Sequence, residues 1–389
     1  MDFRDTAAEA AFRAELRAWL RDNWGDRPPA AGRPDPAEHR EWSTRLHEAG
    51  YVGLTWPSEY GGRGLPPTYQ TIYYEETARA GAPGHLGVIG LNMAGPTIIA
   101  WGTDEQKARY LPPLLSGQEI WCQGFSEPGS GSDLAGARTR AVLDGDEWVV
   151  TGQKVWSSYA HLADWCILVV RTDPDVPKHQ GLSYLLVDMH APGVTVRPLR
   201  QITGDPEFNE IFFDDVRVPV GSMLGRPGDG WKVAMTTLLH ERGTLGAALV
   251  AALQRNVDLL VELARTPGPD GTRPADDPLV RDAVAREWAE MQALRFTNYR
   301  MLSTLLRTGV PGPEGSIVKL VWSEANQRIG KLAVRLQGMA GALQDGDAPL
   351  DGYWQYQQFR SRGNTIEAGT SEILRNITAE RVLGLPRSR

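Results

Sequence analysis

The hydrophobic period of this chain changes twice, and those changes limit its possible folds more than any other feature. Up to about residue 120, apolar residues recur at helical spacing. The first such stripe consists of Phe12, Leu16, Trp19 and Leu20. From residue 121 the pattern becomes short β-rich runs between turns, and after residue 230 long amphipathic stretches return. The pattern therefore predicts the order α, β, α.

Local signals predict the elements of each region. In the first region Thr103 caps a helix that stops at Pro112 and Pro113, and further helices are predicted at residues 40–49 and 69–80. In the second region Asp144-Gly145 marks a hairpin. Strands are predicted at residues 139–143, 147–151, 165–171, 182–188, 194–199 and 210–218. In the third region helices are predicted at residues 231–264, 278–308, 315–339 and 370–382.

A chain of 389 residues corresponds to two or three domains. Short strands between turns suggest a compact barrel or sandwich, and long helices with mostly short connections suggest a bundle. We therefore predict an α+β protein with three domains. These are an N-terminal α-helical domain (1–120), a middle β-barrel or β-sandwich domain (121–226) and a C-terminal four-helix bundle (227–389).

Composition disfavours several classes of function. The net charge of −7 disfavours nucleic-acid binding, which needs a basic surface to displace counterions from phosphates. The longest apolar run, residues 245–253, is too short to span a bilayer, and the first residues lack the features of a signal peptide. A cytoplasmic protein without membrane insertion is therefore expected. Two cysteines, Cys122 and Cys166, cannot form a disulfide framework or a closed zinc site, and no metal is expected.

Four segments carry residues suited to chemistry, although the common nucleotide-binding and hydrolase signatures are missing. The first, residues 125–133, is Phe-Ser-Glu-Pro-Gly-Ser-Gly-Ser-Asp. Its exposed N–H groups and hydroxyls suit a flat, polar-edged ring or a phosphate, but such stretches are also ordinary turns. In the second, residues 154–158, Trp156 precedes two serines. Trp156 could cover a ring, or it could belong to the core.

The third segment is the helix that follows Trp231. Glu241 interrupts an apolar stripe that consists of Ala234, Leu238, Leu245, Ala248 and Ala252. Burial raises the pKa of a glutamate toward the value of about 6–7 that suits a general base. A structural ion pair with Arg242 or another arginine is the alternative.

The fourth segment, residues 368–373, is Ala-Gly-Thr-Ser-Glu-Ile. Glycine and hydroxyl residues before an apolar run predict a helix N-terminus there. Its free N–H groups and the helix dipole favour a negative group. An ordinary helix cap is the alternative.

In this order, and across the α, β, α layout, the four segments resemble those of the acyl-CoA dehydrogenase family. The resemblance covers nearly the whole chain. Residues 125–133 and residues 152–158 (Gly-Gln-Lys-Val-Trp-Ser-Ser) are similar to the two flavin segments of that family. Residues 369–373 and 381–385 (Arg-Val-Leu-Gly-Leu) are similar to its C-terminal signature. The resemblance implies the fold of the family and a bound FAD.

The resemblance also implies which residues hold FAD and the substrate. Those implied at the flavin ring are Phe125, Ser126, Trp156 and Ser158, and Ser132 is a further implied FAD-binding residue. Of these, Trp156 would cover the ring and Ser158 would reach its N5 edge. Those implied along the rest of FAD are Thr370 and Glu372, with Gln337 and Gly341 often acting across a subunit boundary. Those implied to hold or orient the acyl-CoA are Ser132, Arg242 and Ala368.

Family members most often place the catalytic base directly before the Gly-Thr pair, where this chain has Ala368. Glu367 lies one residue too early. Branches such as the isovaleryl-type and long-chain-type enzymes carry the base on the first helix of the C-terminal domain, directly before an arginine. Glu241-Arg242 matches that position. Resemblance and helical periodicity thus both select Glu241 as the base.

The implied reaction is the α,β-dehydrogenation of an acyl-CoA thioester. A flavin ribityl hydroxyl and the Ala368 N–H would polarise the thioester carbonyl. Glu241 would remove the α-proton, and the β-hydride would move to flavin N5 to give the trans-2-enoyl-CoA. An electron-transferring flavoprotein is the implied electron acceptor. The implied assembly is a homodimer, a homotetramer, or a heterotetramer with a related chain.

One family feature is absent. An Arg-x-x-Phe-Gly segment commonly holds the FAD pyrophosphate in the family, and Arg265-Thr266-Pro267-Gly268 lies in its approximate place. Similar losses occur in members that work as mixed-subunit assemblies, including those that act on steroid side chains. A non-catalytic or complementing subunit is therefore one alternative function, and a flavin oxidase or monooxygenase is another. The helix-borne base favours a bulky, branched or long acyl group.

Overall fold

The computed structural model describes residues 4–29, 31–32, 34–268, 271–309, 312, 314–344 and 346–386, without the side chains of residues 241–245. Contacts divide the chain into two compact units. The sheet unit comprises Pro34–Leu65 and Gly84–Glu241, and the bundle unit comprises Met1–Arg33, Pro66–Pro83 and Arg242–Arg389. The predicted domain boundaries after residues 120 and 226 stay a prediction.

Helices precede and follow the strands, which confirms the predicted α+β fold class. In chain order they are α1 (Ala7–Asn23), α2 (Pro36–Glu48), α3 (Pro67–Ala80), α4 (Gly95–Trp101), α5 (Asp104–Ser116), α6 (Gly230–Arg265), α7 (Pro278–Thr308), α8 (Glu314–Leu336), α9 (Tyr353–Asn364) and α10 (Ser371–Ile377). The sequence pattern does not predict α4 or α9. Helix α9 is rich in Gln and Arg and has no apolar stripe, yet it buries Gln355 and Asn364 as well as Trp354.

Seven strands within the described residues 121–219 form one sheet. They are β1 (Trp121–Gly124), β2 (Arg140–Asp144), β3 (Glu147–Ser158), β4 (Trp165–Arg171), β5 (Leu182–Asp188), β6 (Val194–Leu199) and β7 (Phe208–Pro219). Their order is β1-β4-β2-β3-β7-β6, with β5 paired to β4. The predicted hairpin is confirmed, because β2 and β3 pair from Asp144 and Glu147 onwards and Gly145 adopts φ +64°.

Helix α5 corrects one predicted boundary. Thr103 caps its start as predicted, since the Thr103 hydroxyl accepts a 3.2 Å hydrogen bond from the Gln106 N–H. The predicted stop at Pro112 and Pro113 is wrong, because α5 continues to Ser116. The buried side chains at this end are Leu111, Leu114 and Leu115. Their packing outweighs the backbone hydrogen bonds that the two prolines remove.

The bundle unit has a core between α6, α7, α8 and α9, which confirms the predicted C-terminal bundle. Its most deeply buried members include Leu253, Val257, Leu260, Met291, Ile329 and Trp354. Helix α1 packs against α3 in the same unit. There Glu76, only 1% exposed, accepts hydrogen bonds from Arg13, Arg17 and Arg79.

Three further features concern membranes, thiols and metals. No helix in the described ranges contains an apolar stretch of the length that crossing a bilayer requires. Cys122 and Cys166 are register partners on β1 and β4, and both are buried free thiols. Among the described residues, no group of three or more His, Cys, Asp or Glu side chains could hold a metal ion.

Candidate active site

The first candidate segment follows β1 and contains a tight turn. The Glu127 N–H donates to Ser130 O at 2.9 Å, and the Ser130 N–H donates back to Glu127 O at 3.0 Å. Phe125 before the turn is buried, Ser126 is half-buried, and Ser132 after the turn is exposed. The segment is thus a turn, and the serines on either side of it remain at least partly accessible.

The structure brings the first two candidate segments together. The Val155 N–H donates to Ser126 O at 2.9 Å, and the Lys154 ammonium donates to Phe125 O at 3.1 Å. Segments 29 positions apart in the chain therefore run side by side. The cleft that borders them, of about 300 Å³, is lined in part by Glu127, Gly129, Gly136 and Gly152.

Trp156 is not a core residue. Between Lys154 and Ser157, β3 advances three positions while β7 advances only two, so β3 carries one extra residue, a β-bulge. Trp156 lies in this bulge at φ +62°, which large L-residues rarely adopt, and 60% of its surface is exposed. The core alternative for Trp156 is therefore wrong. Its indole is available to cover a ligand.

The two serines after Trp156 have different surroundings. Ser157 is buried, and its hydroxyl has no hydrogen-bond partner among the residues that the structure describes. Ser158 is half-buried and pairs with Phe208 at the end of the β3–β7 ladder. A buried hydroxyl without a partner costs about 1–3 kcal/mol. Ser157 thus has hydrogen-bonding capacity that a ligand or water can satisfy.

A buried ion pair joins these two segments. Lys154 is fully buried, and its ammonium lies 2.8 Å from Glu127 Oε1. The Glu127 carboxylate also accepts the N–H groups of Arg138 at 2.7 Å and Thr139 at 2.8 Å. Burial opposes the charge of Glu127, but Lys154 and the two N–H groups outweigh it and hold the pKa of Glu127 below its usual value. Burial lowers the pKa of Lys154, and Glu127 opposes that shift.

The predicted base, Glu241, and its neighbour Arg242 lie on α6, but both side chains fall outside the described part of the structure, as does that of Leu245. The stripe around Glu241 can be checked elsewhere. Of the other members of the stripe, Ala234 is buried. Three are not: Leu238, Ala248 and Ala252. The buried face includes instead Val233, Thr237, Val250, Leu253, Val257 and Leu260.

The predicted buried stripe on α6 is therefore wrong beyond its first turn. The buried face of a helix is decided by its neighbours, and those of α6 change along its length. In the sheet unit, the Thr237 hydroxyl lies 2.9 Å from the hydroxyls of both Thr97 and Tyr184. In the bundle unit, Leu253 and Val257 pack into the apolar core. The family resemblance remains as the support for Glu241.

The C-terminal candidate segment combines a strained loop with a helix cap. Ala368 has φ +51° and Gly369 has φ +94°, in the left-handed region that costs a residue with a Cβ energy. The Ala368 N–H makes no hydrogen bond to any residue that the structure describes. Thr370 caps α10, since its hydroxyl accepts from the Ile373 N–H at 3.2 Å. A helix cap and an unused backbone donor thus lie side by side.

Side chains from the bundle core hold this loop. The buried Lys319 ammonium on α8 donates to Gly369 O at 2.6 Å. Asn326 Nδ2, also on α8, donates to Asn364 Oδ1 at 2.9 Å, and Asn364 Nδ2 donates to Glu367 Oε1 at 2.6 Å. The backbone of the loop and the Glu367 carboxylate are therefore both fixed.

These amides belong to a longer series, buried except at its half-buried end Glu367, which we call the amide chain: Tyr353, Asn256, Asn326, Asn364 and Glu367. The Tyr353 hydroxyl donates to Asn256 Oδ1 at 2.6 Å, and Asn256 Nδ2 donates to Asn326 Oδ1 at 3.1 Å. At the other end Glu367 Oε2 accepts from Arg360 at 2.9 Å. Glu367, the alternative position for the base, is thus already engaged by two donors.

The remaining predicted FAD residues lie in the bundle unit. Gln337 Oε1 accepts from Gln355 Nε2 at 2.9 Å, whereas Gln337 Nε2 is buried without a partner among the described residues. A Cβ at Gly341 would lie 2.4 Å from Val334 O, so only glycine fits there. Glu372 is exposed in the first turn of α10, where hydrogen bonds from its own N–H and from a hydroxyl lower the pKa of its carboxyl.

A larger cleft, of about 710 Å³, lies in the bundle unit among α3, α6 and α7. Its charged lining includes Glu75, Arg79, Arg255, Asp258 and Arg295. Acidic and basic groups are mixed there, so no single charge selects a ligand, and none of the described predicted site residues lines it. Cleft size alone therefore does not locate the candidate site.

The sequence predictions miss both the Lys154–Glu127 pair and the amide chain. The sequence does contain one signal for two lysines: Lys154 of the ion pair, and Lys319, which holds the Gly369 carbonyl. The chain contains only six lysines, and two of them interrupt apolar patterns: Lys154 within a β-rich run and Lys319 within an amphipathic helix. The reasoning that selects Glu241 as a charge on an apolar stripe would also have selected these two positions.

Comparisons with known proteins relate all three regions to one family. The chain matches the acyl-CoA dehydrogenase N-terminal domain over residues 6–118, the middle domain over residues 122–216 and the C-terminal domain over residues 228–383. A curated relative, acyl-CoA dehydrogenase IpdE1 of Mycobacterium tuberculosis, is 47% identical over 388 residues, which cover 97% of each protein.

Two solved structures are similar over their whole length. One, described as the Tcur3481-Tcur3483 steroid ACAD, has a TM-score of 0.88 and 34% identity and covers 100% of both chains. The other, the ChsE4-ChsE5 complex from Mycobacterium tuberculosis, has a TM-score of 0.85 and 34% identity, again with 100% of both chains covered.

Proposed function

Because this chain belongs to the acyl-CoA dehydrogenase family, we propose that it converts an acyl-CoA thioester to the trans-2-enoyl-CoA with Glu241 as the base. As a member of that family it is an FAD-dependent oxidoreductase of lipid metabolism. The observation that carries the proposal is the pairing of the two flavin segments. The 2.9 Å hydrogen bond from Val155 N–H to Ser126 O joins them next to the exposed Trp156.

The residues present fit a flavin. Trp156 offers a flat ring in a strained bulge, and Ser157 and Gln337 each have a buried polar atom without a described partner. The residues that would hold the flavin ring are Phe125, Ser126, Trp156 and Ser158, with Ser132 as a further FAD-binding residue. Those that would hold the rest of FAD are Gln337, Gly341, Thr370 and Glu372. The unused hydrogen-bonding capacity of Gln337, and of Ser157 between Trp156 and Ser158, supports this assignment.

Bound FAD supplies the acceptor for the hydride that leaves the β-carbon. The Glu241 carboxylate takes the α-proton, so that the two hydrogens leave as a proton and a hydride and a carbon–carbon double bond forms. Arg242, the next residue on α6, and Ser132 orient the acyl-CoA. Glu241 therefore needs to be unprotonated before the reaction and protonated after it.

The Ala368 N–H polarises the thioester carbonyl. Charge develops on that oxygen as the α-proton leaves, and a fixed donor stabilises the charge without reorganisation. The free N–H of Ala368 and the hold of Lys319 on the adjacent Gly369 O support this role. The donor is a backbone group, so alanine serves in place of the glutamate that the family commonly has there.

We propose that the substrate carries a bulky, steroid-derived acyl group. The helix-borne base matches branches of the family that take long or branched acyl groups. One similar solved structure, Tcur3481-Tcur3483, is described as a steroid ACAD, and another, ChsE4-ChsE5, is a complex of two different chains. We therefore also propose that this chain works in an oligomer, either with copies of itself or as a heterotetramer with a related chain.

Two further assignments complete the proposal. An electron-transferring flavoprotein takes the electrons from the reduced enzyme. The protein works in the cytoplasm. Two buried cysteines support this location, because they remain free thiols although they are register partners on adjacent strands.

A complementing-subunit role is the second candidate function. The observation that favours it is the missing Arg-x-x-Phe-Gly segment: α6 ends at Arg265, and Thr266-Pro267-Gly268 follows. In that case the chain would bind FAD or oxidise acyl-CoA only when a related chain completes its pyrophosphate end.

Anaerobic titration of the FAD-loaded protein with a panel of CoA thioesters tests the proposal. The panel contains straight-chain, branched and steroid side-chain acyl groups, and the flavin absorbance is followed. We expect bleaching by the bulky thioesters, with the reduced flavin stable for minutes after oxygen is admitted.

Each other outcome has a distinct meaning. Rapid reoxidation in oxygen would indicate an oxidase or monooxygenase. Bleaching only after a related chain is added would indicate the complementing role. No bleaching under any of these conditions would refute the proposed reaction.

A further inference from the structure

We propose that the Glu127–Lys154 ion pair is a positioning element of the flavin site, which holds the two flavin segments in the register that FAD binding requires. This inference rests on the proposed placement of FAD against these segments. Neither side chain is assigned to contact the substrate or the reacting atoms.

Three hydrogen bonds join the two segments. Lys154 donates to Phe125 O at 3.1 Å and to Glu127 Oε1 at 2.8 Å, and between them the Val155 N–H donates to Ser126 O at 2.9 Å. One lysine therefore spans two positions of the opposite segment. The backbone bond of Val155 can form only in the register that these two contacts define.

The surroundings of Lys154 form a slot for its side chain. A Cβ at Gly124 would lie 2.6 Å from Leu168 Cδ1 and in van der Waals contact, at 3.5 Å, with Lys154 Cγ, so the lysine stem and Leu168 pack closely around the Gly124 backbone. Glu127 is fixed in turn by the N–H groups of Arg138 and Thr139. Both partners are therefore held before any ligand binds.

The position of the pair in the strand explains why a precise anchor is needed. Lys154 pairs with Ile211 as the last regular residue of β3 before the bulge. Two residues later, Trp156 is held at φ +62°. A slip of one residue would relieve this strain, but it would also turn the indole to the other face of the sheet. The ion pair opposes that slip.

Stability alone does not account for a buried ion pair. Burying two charges costs several kcal/mol per ion, and well-packed apolar residues of similar volume often stabilise a fold as much or more. The interior of the sheet unit otherwise holds its apolar core and mostly uncharged polar side chains such as Asn209 and Thr237. A charged pair at this one place, directly under the two flavin segments, therefore fits a requirement for a unique register.

Two variants and one control test the inference. Lys154→Met removes the ammonium and keeps the volume, and Glu127→Gln removes the charge and keeps the shape. The matched control is Val187→Ala, which creates a cavity in the same core, on β5 and outside both segments. For each protein, the dissociation constant of FAD and the visible circular dichroism of the bound flavin at saturating FAD are measured at a temperature where the protein is folded.

We expect both ion-pair variants to weaken FAD binding by about tenfold or more, the loss of one charge-assisted hydrogen bond. We also expect them to change the circular dichroism of the flavin that still binds, because its surroundings are displaced. Val187→Ala should leave both quantities unchanged while lowering the midpoint of unfolding.

The inference is overturned if the ion-pair variants bind FAD as the control does, or if neither variant folds, since the pair would then serve folding alone. Failure of the wild-type protein to bind FAD would instead refute the proposed function. Because these readouts do not use turnover, they do not depend on which residue is the base.

Discussion

The two loops assigned to the flavin and the thioester are held by different kinds of polar contact. In the sheet unit, the anchor is a pair of full charges, Lys154 and Glu127, 2.8 Å apart and buried. In the bundle unit, the anchor is the amide chain, in which Asn256, Asn326 and Asn364 carry no charge and the carboxyl group of Glu367 lies at one end.

The difference shows how each loop responds to damage. A buried charge that loses its partner cannot be rehydrated and is costly, whereas a buried amide that loses one hydrogen bond loses much less. Charges also respond to pH, and amides do not. The sheet anchor should therefore be strong but sensitive, and the bundle anchor weaker per contact but tolerant.

The largest expected effect involves neither anchor. Glu241→Gln should slow flavin reduction by about 100-fold to 10,000-fold, because the α-proton loses its acceptor. FAD affinity and the unfolding midpoint should not change, which separates chemistry from anchoring. Stopped-flow reduction by an acyl-CoA under anaerobic conditions measures the rate.

Glu367→Gln is the matched control for that experiment. Its amide oxygen can still accept from Asn364, so a near-normal rate of flavin reduction is expected. A normal rate in Glu241→Gln together with a large loss in Glu367→Gln would show that the base lies next to Ala368 and not on α6.

The second effect concerns the sheet anchor. Lys154→Met should lower the free energy of unfolding by about 3–5 kcal/mol, because Glu127 is left as an unpaired buried carboxylate. Urea unfolding at pH 7 gives this value. The control is Lys178→Met, whose ion pair with Asp133 is exposed and should contribute about 0–1 kcal/mol. Equal losses in the two variants would remove the distinction between buried and exposed charge.

The third effect concerns the amide chain. Asn326→Leu leaves a donor on Asn256 and an acceptor on Asn364 unpaired, and should cost about 3 kcal/mol. Asn298→Leu, a buried amide in the same unit whose Oδ1 has no described partner, should cost less than about 1 kcal/mol. If Asn298→Leu proved the more damaging change, the amide chain would not be the anchor of the loop.

The smallest expected effect tests the pH response of the sheet unit. Burial, helped by the nearby His39 and His47, lowers the pKa of His85 to about 3, so His85 is neutral in the folded protein. In the unfolded chain His85 takes up a proton below about pH 6.5. The contribution of His85 to the free energy of unfolding is therefore complete above that pH. It decreases as the pH falls, by about 2 kcal/mol between pH 7 and pH 5.

His85→Gln should flatten this loss, as measured by urea unfolding at the two pH values. The glutamine oxygen can replace His85 Nδ1 as the acceptor for the Gly87 N–H. An unchanged slope between pH 7 and pH 5 in His85→Gln would assign the acid sensitivity to other groups.

Much of the fold could be predicted because its signals are local. Strands β4, β5 and β6 have the predicted bounds, since apolar runs between turn residues define them. The four candidate segments were also selected from short patterns, and their role in FAD and substrate binding stays a prediction. What could not be predicted depends on distant partners: Lys154 and Glu127 are 27 positions apart, and Asn256 and Asn326 are 70 apart. Periodicity reports neighbours within a turn or a strand and carries no information on such pairs.

Strand β3 changes parity at its bulge. Before it, even-numbered residues such as Trp148 and Lys154 are buried; from the bulge onwards, the odd-numbered Val155 and Ser157 are buried and the even-numbered Trp156 is exposed. If the even-numbered phase continued through residue 156 without the bulge, the indole would point into the core. The extra residue thus changes which residues of the strand face inward. The part before the bulge fills the interior, and the bulge presents a side chain to a ligand.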